Sequence, residues 1–419
     1  MILFDGKIFD TSMQDELIAK LPQVIDETYK DGLHLDPKDV IDACSTLARR
    51  VADGAFDDIV LPFMEKFGIG RDYLERMIYL FTAEGLTTKL NTELPPLGSD
   101  PDGIRRVRYP LGVLLHIAAG NFDVLPAYSV IEGLLAGNIN ILKLPMGDSG
   151  LSVKLLSELI DICPRLAPFI YVFDVPSTET ASLVRLAEMS NGIAVWGGDQ
   201  ALEAARRLAP INTKIISWGH KLSFAYAELD CTDDSLKELA RSICMTNQTL
   251  CSSCQGIFVD TTSDEELVEF GKRFYSVLSE VNSFSSPADY GMRAKNAINI
   301  YNEKLESESR YLEIFSGNGI SVIVRPDSEL DLSYMYRSVW VRKLPSSEIY
   351  TLRKHKSYLQ TAAVLTSSDV KRSSVSELLA NAGVVRITSG GTMSDTLPGE
   401  AHDGTYALRE YTKIVEFRD

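Results

Sequence analysis

The feature that most constrains the fold of this chain is a run of alternating strand and helix patterns from Leu111 to Trp218. Short apolar segments predict strands at 112–118, 139–143, 169–175, 192–196 and 214–218, and amphipathic segments predict helices at 124–136, 151–162, 179–189 and 199–208. Strands that alternate with helices of this length indicate a parallel sheet covered on both faces. Ligands of such sheets lie at the carboxyl ends of the strands, so the loops after Ala118, Lys143 and Trp196 are candidate binding sites.

The segments on either side have different patterns. Residues 1 to about 100 are mainly helical in pattern, with Asp36 and Pro37 as the cap and first position of one helix. The segment 103–109 alternates basic and apolar residues, which is typical of an edge or bridging strand and equally of a solvated hairpin. Beyond residue 226 a looser alternation indicates a second α/β domain. The predicted divisions are an N-terminal helical and cofactor-binding domain (1–225, with 101–110 as a bridging strand), a second domain (226–403) and a C-terminal segment (404–419).

The bulk composition narrows the function classes. A net charge of -16 argues against nucleic acid and anionic membranes as partners, because proteins that bind them present a basic face. The first residues lack the basic start and apolar run of a signal peptide, and the apolar stretch 111–119 is too short to span a bilayer. Six cysteines in so long a chain do not indicate a disulfide framework. We therefore expect a cytoplasmic protein without a membrane span.

Two cysteines, Cys251 and Cys254, lie in a connection between a helical pattern that ends near Met245 and a short strand pattern at 256–259. Connections concentrate catalytic residues, although a free cysteine is more often a small buried hydrophobic residue. A structural zinc site needs four ligands, and no second C-x-x-C pair exists beside these two. A thioredoxin-like pair begins a helix, whereas this one follows a helix. One nucleophilic cysteine, with the other incidental and no metal, fits best.

Three loops at strand ends could hold a cofactor. The first, between a strand and a helix, offers small residues and backbone N–H groups to a phosphate or an oxyanion, although simple turn chemistry also explains it. Its candidate residues are Ala118, Ala119, Gly120 and Asn121. Lys143 ends the next strand and is either a ligand contact at the same sheet edge or a surface lysine. Gly197 and Gly198 open a helix after a third strand, which suits a diphosphate.

Several short motifs occur together in a characteristic order. They are Tyr109-Pro-Leu-Gly-Val113, Gly120-Asn-Phe122, Leu135-Ala-Gly-Asn138 followed by Lys143, the segment 247–255 with its Cys-Ser-Ser core, and Pro398-Gly-Glu-Ala-His-Asp-Gly404. With these motifs the chain resembles the aldehyde dehydrogenase superfamily and, within it, the bacterial fatty acyl-CoA reductase (LuxC-type) family of the luminescence system. The resemblance implies an α/β fold with a Rossmann-type parallel-sheet cofactor domain, a second α/β catalytic domain and a bridging strand for oligomerisation.

The resemblance also implies a reductase that makes a fatty aldehyde from a thioester. Cys251 matches the superfamily nucleophile, and it would take an acyl group from fatty acyl-CoA or from an acylated synthetase partner. NADPH, with NADH as the alternative, would supply the hydride, and Asn121 matches an amide that donates to the oxyanion. Lys143 matches a residue that contacts the adenosine ribose, whereas Gly197 and Gly198 fall at the diphosphate.

Two positions depart from the wider superfamily. Ser217 stands where hydrolytic aldehyde dehydrogenases have a glutamate that activates water, and the loss of that base would protect a thioester from hydrolysis. Met146 stands where many NAD-preferring relatives have a glutamate for the ribose hydroxyls, so nothing there repels a 2′-phosphate. A reactive thiol also needs a lowered pKa, for which His220 and Lys221 are the candidates.

Other interpretations stay open at this point. A CoA-acylating aldehyde dehydrogenase for short aldehydes would also lack the hydrolytic base, and an inactive relative could serve as a scaffold for an acyl-activating partner. By resemblance we further expect a dimer or tetramer, formed through the 103–109 strand and a terminal strand at 411–417.

Overall fold

The structure is a computed structural model that describes residues 1–67, 71–97, 103–118, 124–306 and 310–418. The chain forms two compact units, which we call unit 1 and unit 2. Unit 1 comprises residues 1–63, 72–219 and 396–419, and unit 2 comprises residues 64–71 and 220–395.

The helices and strands follow one another along the chain with short connections. The helices are α1 (Gln14–Lys30), α2 (Pro37–Ala52), α3 (Asp57–Phe67), α4 (Arg71–Tyr79), α5 (Ala83–Glu93), α6 (Leu125–Leu135), α7 (Leu151–Ile162), α8 (Thr180–Glu188), α9 (Asp199–Leu208), α10 (Asp233–Thr246), α11 (Asp264–Phe284), α12 (Tyr290–Glu306), α13 (Asp369–Ala382) and α14 (Ala407–Glu410). The strands are β1 (Ile2–Phe4), β2 (Lys7–Phe9), β3 (Arg105–Pro110), β4 (Val113–Ile117), β5 (Ile139–Lys143), β6 (Ile170–Phe173), β7 (Gly192–Trp196), β8 (Lys214–Trp218), β9 (Leu222–Ala227), β10 (Cys254–Val259), β11 (Glu313–Gly317), β12 (Ile320–Arg325), β13 (Ser338–Lys343), β14 (Leu359–Leu365), β15 (Arg386–Thr388) and β16 (Thr412–Phe417).

The main sheet of unit 1 has the strand order β2-β1-β6-β5-β4-β7-β8 in the part of the chain that the structure describes. Strands β4 to β8 are parallel, which confirms the predicted parallel sheet. Strands β5, β6 and β7 are buried along their whole length, as expected where helices cover both faces. The hairpin of β1 and β2, which the sequence did not predict, adds antiparallel strands beside β6.

The order of connections reverses at β4, which has β5 on one side and β7 on the other. In open α/β sheets a crevice forms at such a reversal, outside the carboxyl ends of the strands, and ligands bind there. The fold therefore places the ends of β4 and β7 at the expected ligand position.

The predicted strand at 103–109 is confirmed as β3, and it is not a solvated hairpin. It pairs antiparallel with the terminal strand β16, from Arg105 opposite Phe417 to Pro110 opposite Thr412. The chain before β16 is held to unit 1 because the Asn138 side-chain amide donates to the Tyr411 carbonyl oxygen at 3.0 Å. The two strands predicted to form the bridging sheet, β3 and β16, are thus paired with each other inside unit 1.

A buried ion cluster ties α14 to α5 and α6. The Lys89 ammonium lies 2.5 Å from a Glu93 carboxylate oxygen and 2.8 Å from one of Glu132. The other Glu93 oxygen accepts from the Leu408 backbone N–H at 2.9 Å. Burial alone would lower the pKa of Lys89, but Glu132, Tyr128 and Glu93 raise it, so the ammonium stays charged. Burial raises the pKa of Glu132.

Replacing this lysine tests how much the cluster stabilises unit 1. Lys89→Met leaves buried carboxylates without their cation, which costs about 3–5 kcal/mol when one partner of a buried pair is removed. Equilibrium urea unfolding of the variant should show a loss of that size. Lys20→Met, at an exposed position of α1, is the control and should change the unfolding free energy little. Equal effects of the two substitutions would contradict the stabilising role of the cluster.

Unit 2 contains a second sheet with the order β11-β12-β13-β10-β9-β14-β15 among the described residues. Its strands are parallel except for β11, which the sequence did not predict and which forms a hairpin with β12. The division between the units falls between Gly219 and His220, not near residue 226, because β9 pairs with β10 and β14. Residues 396–403, which the sequence pattern assigns to the second domain, belong to unit 1.

The structure confirms the predicted start of α2. Asp36 caps the helix through its side chain, which accepts from the Lys38 N–H at 2.9 Å, and Pro37 is the first helical residue. Across the described residues, no helix is long and apolar enough to cross a membrane.

Candidate active site

The loop with the predicted nucleophile connects α10 to β10. Helix α10 ends at Thr246, and Asn247 and Gln248 follow with left-handed backbone conformations (φ 47° and 62°). The chain then turns through Cys251 into β10, whose first residue is Cys254. Cys251 therefore lies in the connection, as predicted, whereas Cys254 is part of the strand.

The two cysteines have different environments. The Cys251 side chain is exposed, while Cys254 is 1% exposed and its Sγ donates to the Gly256 carbonyl oxygen at 3.2 Å. Burial raises the pKa of Cys254 to about 12, so this thiol stays protonated near neutral pH. Because the thiolate is the nucleophile, the chemistry of Cys254 suits a core residue and that of Cys251 suits a reactive one.

The side chain of Gln248 fixes the base of the loop. It is buried, and its amide nitrogen donates to the carbonyl oxygens of Cys254 at 2.9 Å and Ser338 at 3.0 Å. Its amide oxygen accepts from the Arg337 backbone N–H at 2.8 Å. The loop is thus bound to the start of β10 and to the segment that precedes β13.

Arg337 is the centre of a second set of contacts, which the sequence did not reveal. Its buried guanidinium donates to the Asn247 side-chain oxygen at 3.1 Å and to the Cys244 carbonyl oxygen in the last turn of α10 at 3.2 Å. Met335, Tyr336 and Arg337 all have left-handed backbone conformations, with φ of 56°, 46° and 70°. Such conformations cost about 1–3 kcal/mol each and persist where surrounding contacts enforce them, often at functional sites.

The sulfur of Cys251 has a contact that sequence reasoning missed. The side-chain amide of Gln360, at the start of β14, donates to Sγ at 3.4 Å. Ser223 on β9 donates its hydroxyl to the Cys251 carbonyl oxygen at 2.7 Å. Gln360 is 6% exposed, so its amide is held within the protein beside the sulfur of the exposed Cys251. No sequence pattern around Gln360 indicates a contact with Cys251, because the two residues are far apart in the chain and meet only in the fold.

The roles suggested for His220 and Lys221 stay predictions. His220 is exposed, and the Lys221 ammonium donates to the Ser357 carbonyl oxygen at 2.9 Å.

The contact between Gln360 and Cys251 predicts a measurable effect on the thiol. Gln360→Leu removes a hydrogen-bond donor from the thiolate, and a bond to a charged group is worth about 1.5–3 kcal/mol, so the pKa of Cys251 should rise by roughly one unit or more. The pH dependence of iodoacetamide alkylation at Cys251, followed by mass spectrometry, measures it. Gln360→Glu retains the shape but places a carboxylate near the sulfur, so it should raise the pKa further. An unchanged midpoint in both variants would exclude Gln360 from this role.

The predicted cofactor residues that the structure describes lie at one edge of the unit 1 sheet. Strand β4 ends beside Ala118, and in the ladders Ile117 lies opposite Lys143 of β5 and Val195 of β7. The ends of β5, β4 and β7 are therefore neighbours, as a single binding site formed by the loops after these strands requires. Three further predicted residues, Ala119, Gly120 and Asn121, lie outside the described residues.

Lys143 is a buried residue and not a surface lysine. It is 5% exposed, and its ammonium donates to the Ser177 hydroxyl at 3.3 Å. Burial lowers its pKa, partly offset by Asp174. A lysine held at a strand end by a neutral partner can bind a hydroxyl or phosphate of a ligand.

The start of α9 fits an anionic group. Gly198 is the N-cap residue of this ten-residue helix, and a Cβ built there would meet nothing within 4 Å. The N-terminus of the helix is therefore open to a close approach, and its backbone N–H groups favour negative charge. A Cβ at Gly197 would lie 2.9 Å from the Ala201 Cβ, so the turn before the helix requires glycine.

An aromatic cluster closes the ends of β7 and β8. The rings of Trp196 and Trp218 are 5.4 Å apart, and His402 lies 5.1 Å and 5.2 Å from them. The Trp196 indole donates to the Ser129 hydroxyl at 2.9 Å. His402 belongs to the motif Pro398 to Gly404, so the fold brings this distant motif to the predicted cofactor edge. Among the described residues, no group of three or more His, Cys, Asp or Glu side chains could hold a metal ion.

Comparisons with known proteins find similarity in sequence and in fold. A model of the family described as acyl-CoA reductase (LuxC) matches residues 41–414. A similar curated protein is the long-chain acyl-protein thioester reductase of Vibrio harveyi, which is 26% identical over 334 residues. That alignment covers 76% of this chain and 66% of the relative, so the chain spans just under two thirds of the relative's length.

Solved structures with a similar fold are aldehyde dehydrogenases. The glyceraldehyde-3-phosphate dehydrogenase of Methanocaldococcus jannaschii, complexed with NADP, has a TM-score of 0.73 at 13% identity, over 96% of this chain and 94% of that one. The Δ-pyrroline-5-carboxylate dehydrogenase of Mycobacterium tuberculosis, bound with NAD, has a TM-score of 0.67 at 14% identity, over 96% and 82%. These similarities show the aldehyde dehydrogenase-like α/β fold that the sequence predicted.

Proposed function

We propose, because this chain belongs to the acyl-CoA reductase (LuxC) family, that it reduces a long-chain fatty acyl thioester to the fatty aldehyde through an acyl group on Cys251. The observation that carries the proposal is the pair of cysteine environments. Cys251 is exposed on a rigidly held loop with an amide donor at its sulfur, whereas Cys254 is buried with a raised pKa. The name of the similar Vibrio harveyi protein supports the substrate class.

In the first step the Cys251 thiolate attacks the carbonyl carbon of the acyl thioester. A bond forms between Sγ and that carbon, the bond from the carbon to the donor's sulfur breaks, and the donor leaves as a thiol after taking a proton. The Gln360 amide stabilises the thiolate before the attack. The contacts of Gln248 and Arg337 fix the loop, so little conformational freedom is lost when the acyl group binds.

When bound, a nicotinamide cofactor would supply the hydride that reduces the carbonyl carbon of the acyl-Cys251 thioester. The carbonyl oxygen then carries negative charge, and a hydrogen-bond donor at that position lowers the barrier. By resemblance Asn121 provides this donor. When the oxyanion collapses, the Cys251 thiolate leaves and the aldehyde is released, so the Gln360 amide also favours this second step.

Ser217 supports reduction over hydrolysis. It is the penultimate residue of β8 and is exposed. By resemblance it stands where hydrolytic aldehyde dehydrogenases have a glutamate base. A serine hydroxyl does not take a proton from water near neutral pH without a partner base. A thioester on Cys251 therefore has hydride transfer as its productive exit.

The residues at the unit 1 sheet edge suit a nicotinamide dinucleotide, and we propose NADPH. The open helix start at Gly198 suits a diphosphate, and the buried Lys143 suits a ribose hydroxyl or phosphate. Met146 is 94% exposed and places no carboxylate against a 2′-phosphate. NADH remains the alternative cofactor.

Lys143→Met tests the cofactor proposal. The variant loses a cationic donor at the cofactor edge, so its KM for NADPH should rise about tenfold or more, as expected for one charge-assisted hydrogen bond. Initial rates at varied NADPH with saturating palmitoyl-CoA measure this. Lys154→Met, at a more exposed site of the same unit, is the matched control and should leave the KM near the wild-type value. An unchanged KM in Lys143→Met would remove Lys143 from the cofactor site.

The acyl-enzyme is tested by intact-mass analysis after incubation with palmitoyl-CoA. The wild-type protein should gain one palmitoyl group, and NADPH should discharge it as palmitaldehyde. Cys251→Ser should gain no adduct under the same mild conditions, and Cys254→Ser should still gain it if it folds. An adduct that depends on Cys254 would overturn the assignment.

Rates with short acyl-CoA substrates separate the proposal from a CoA-acylating aldehyde dehydrogenase. An unreactive wild-type protein would favour the scaffold alternative.

We also propose that the protein self-associates through the sheet of β3 and β16. Within the described residues these two strands pair with no further strand, so each has an open edge. Tyr109 and Ile414 are apolar side chains exposed on this sheet.

A further inference from the structure

Helix α12 of unit 2 exposes an apolar seam. Ile298, Tyr301 and Leu305 are 61%, 63% and 66% exposed, although each is a large apolar side chain. They are spaced by three and four residues, so they lie on one face of the helix, and the exposed Ala294 extends the same face by one turn. This spacing matches the core positions of a heptad pattern, which pack against another helix.

Lysines flank the seam on both sides. Lys295 and Lys304 are exposed and lie about a quarter turn to either side of it, at the positions that set partner choice in helix pairs. The chain as a whole has a net charge of -16. The seam is therefore a locally basic and apolar strip on an acidic protein, and charge complementarity favours an acidic helix as its partner.

The opposite face of α12 contacts the segment that holds the cysteine loop. The Asn296 side-chain amide donates to the Met335 carbonyl oxygen at 2.7 Å. The adjacent Tyr336 backbone N–H donates to the Asn247 carbonyl oxygen at 2.9 Å. A partner on the seam would thus lie across a single helix from the segment that fixes the Cys251 loop.

From these observations we propose that the α12 seam docks an acidic helix of the acyl-carrying protein that delivers the thioester to Cys251. The inference rests on the proposed function and specifies its acyl donor as a protein. The similar Vibrio harveyi protein, named as a long-chain acyl-protein thioester reductase, supports a protein donor. A second copy of α12 is a poorer occupant, because it would bring lysines of the same charge to the seam.

The test compares an acyl donor that is a protein with an acyl donor that is a small molecule. The probes are an acyl carrier protein bearing a palmitoyl thioester, which is small, acidic and helical, and palmitoyl-CoA. In the double variant Lys295→Glu/Lys304→Glu, kcat/KM with the carrier protein should fall by about tenfold or more, since reversed charges at an interface reduce the association rate. The value with palmitoyl-CoA should stay near wild type. Added salt should narrow the gap between wild type and variant.

A matched variant separates a local effect from a change in net charge. Lys272→Glu/Lys356→Glu makes the same charge change at exposed sites of unit 2 outside α12, and it should leave kcat/KM for both donors near wild type. Ile298→Ser/Tyr301→Ser removes apolar contacts without changing charge, and it should weaken use of the carrier protein alone. Equal losses in the control, or an unchanged kcat/KM with the carrier protein in both seam variants, would overturn the inference.

Three outcomes are distinguishable. If the seam variants change the oligomeric mass in sedimentation and leave use of the carrier protein intact, the seam joins copies of this chain and the inference is wrong. If the wild-type protein reduces palmitoyl-CoA through Cys251 and the seam variants use the carrier protein as well as wild type does, the docking inference fails while the proposed function stands. If wild-type protein reduces neither donor, the proposed function itself fails.

Discussion

The candidate catalytic loop depends on the buried side chain of Arg337. Its guanidinium binds Asn247 and the end of α10, and its backbone N–H binds the Gln248 amide oxygen. These contacts hold five non-glycine residues in left-handed conformations on two facing segments. None of those conformations is favourable in isolation, so the contacts that enforce them determine where Cys251 lies. A loop held in this way keeps a nucleophile in place without the entropy loss of ordering it at each turnover.

The thiol of Cys251 is used twice in the proposed reaction, as attacking and as leaving group. A neutral amide donor such as Gln360 suits both uses, because it stabilises the thiolate without neutralising it. In the same proposed reaction, the absence of a carboxylate at Ser217 would slow hydrolysis. Cys254 is close to Cys251 in sequence but belongs to the core of unit 2. Burial raises the pKa of its thiol, which therefore stays protonated and unreactive.

Much of the architecture followed from local patterns. The alternation of strands and helices predicted the parallel sheet of unit 1, because apolar runs of this length must be buried on both faces. The cap at Asp36 and the strand β3 were also predicted correctly. The domain boundary near residue 226 was misplaced because β9 resembles a continuation of the first sheet, and only its pairing with β10 and β14 assigns it to unit 2. The strands β1 and β11 were missed because they are only three and five residues long, and segments this short show little periodicity.

The sequence by itself determined the fold class, the family and the candidate residues Cys251, Lys143, Gly197 and Gly198, because motif order and hydrophobic periodicity are local properties of the chain. Only the tertiary structure revealed Gln360 at the sulfur, Arg337 in contact with the loop and His402 beside two tryptophans. Each of these residues lies far in sequence from the group that it contacts. A hydrogen bond or ring contact between distant segments leaves no periodic pattern in either segment, so only the fold decides which of many polar and aromatic residues lie at the candidate site.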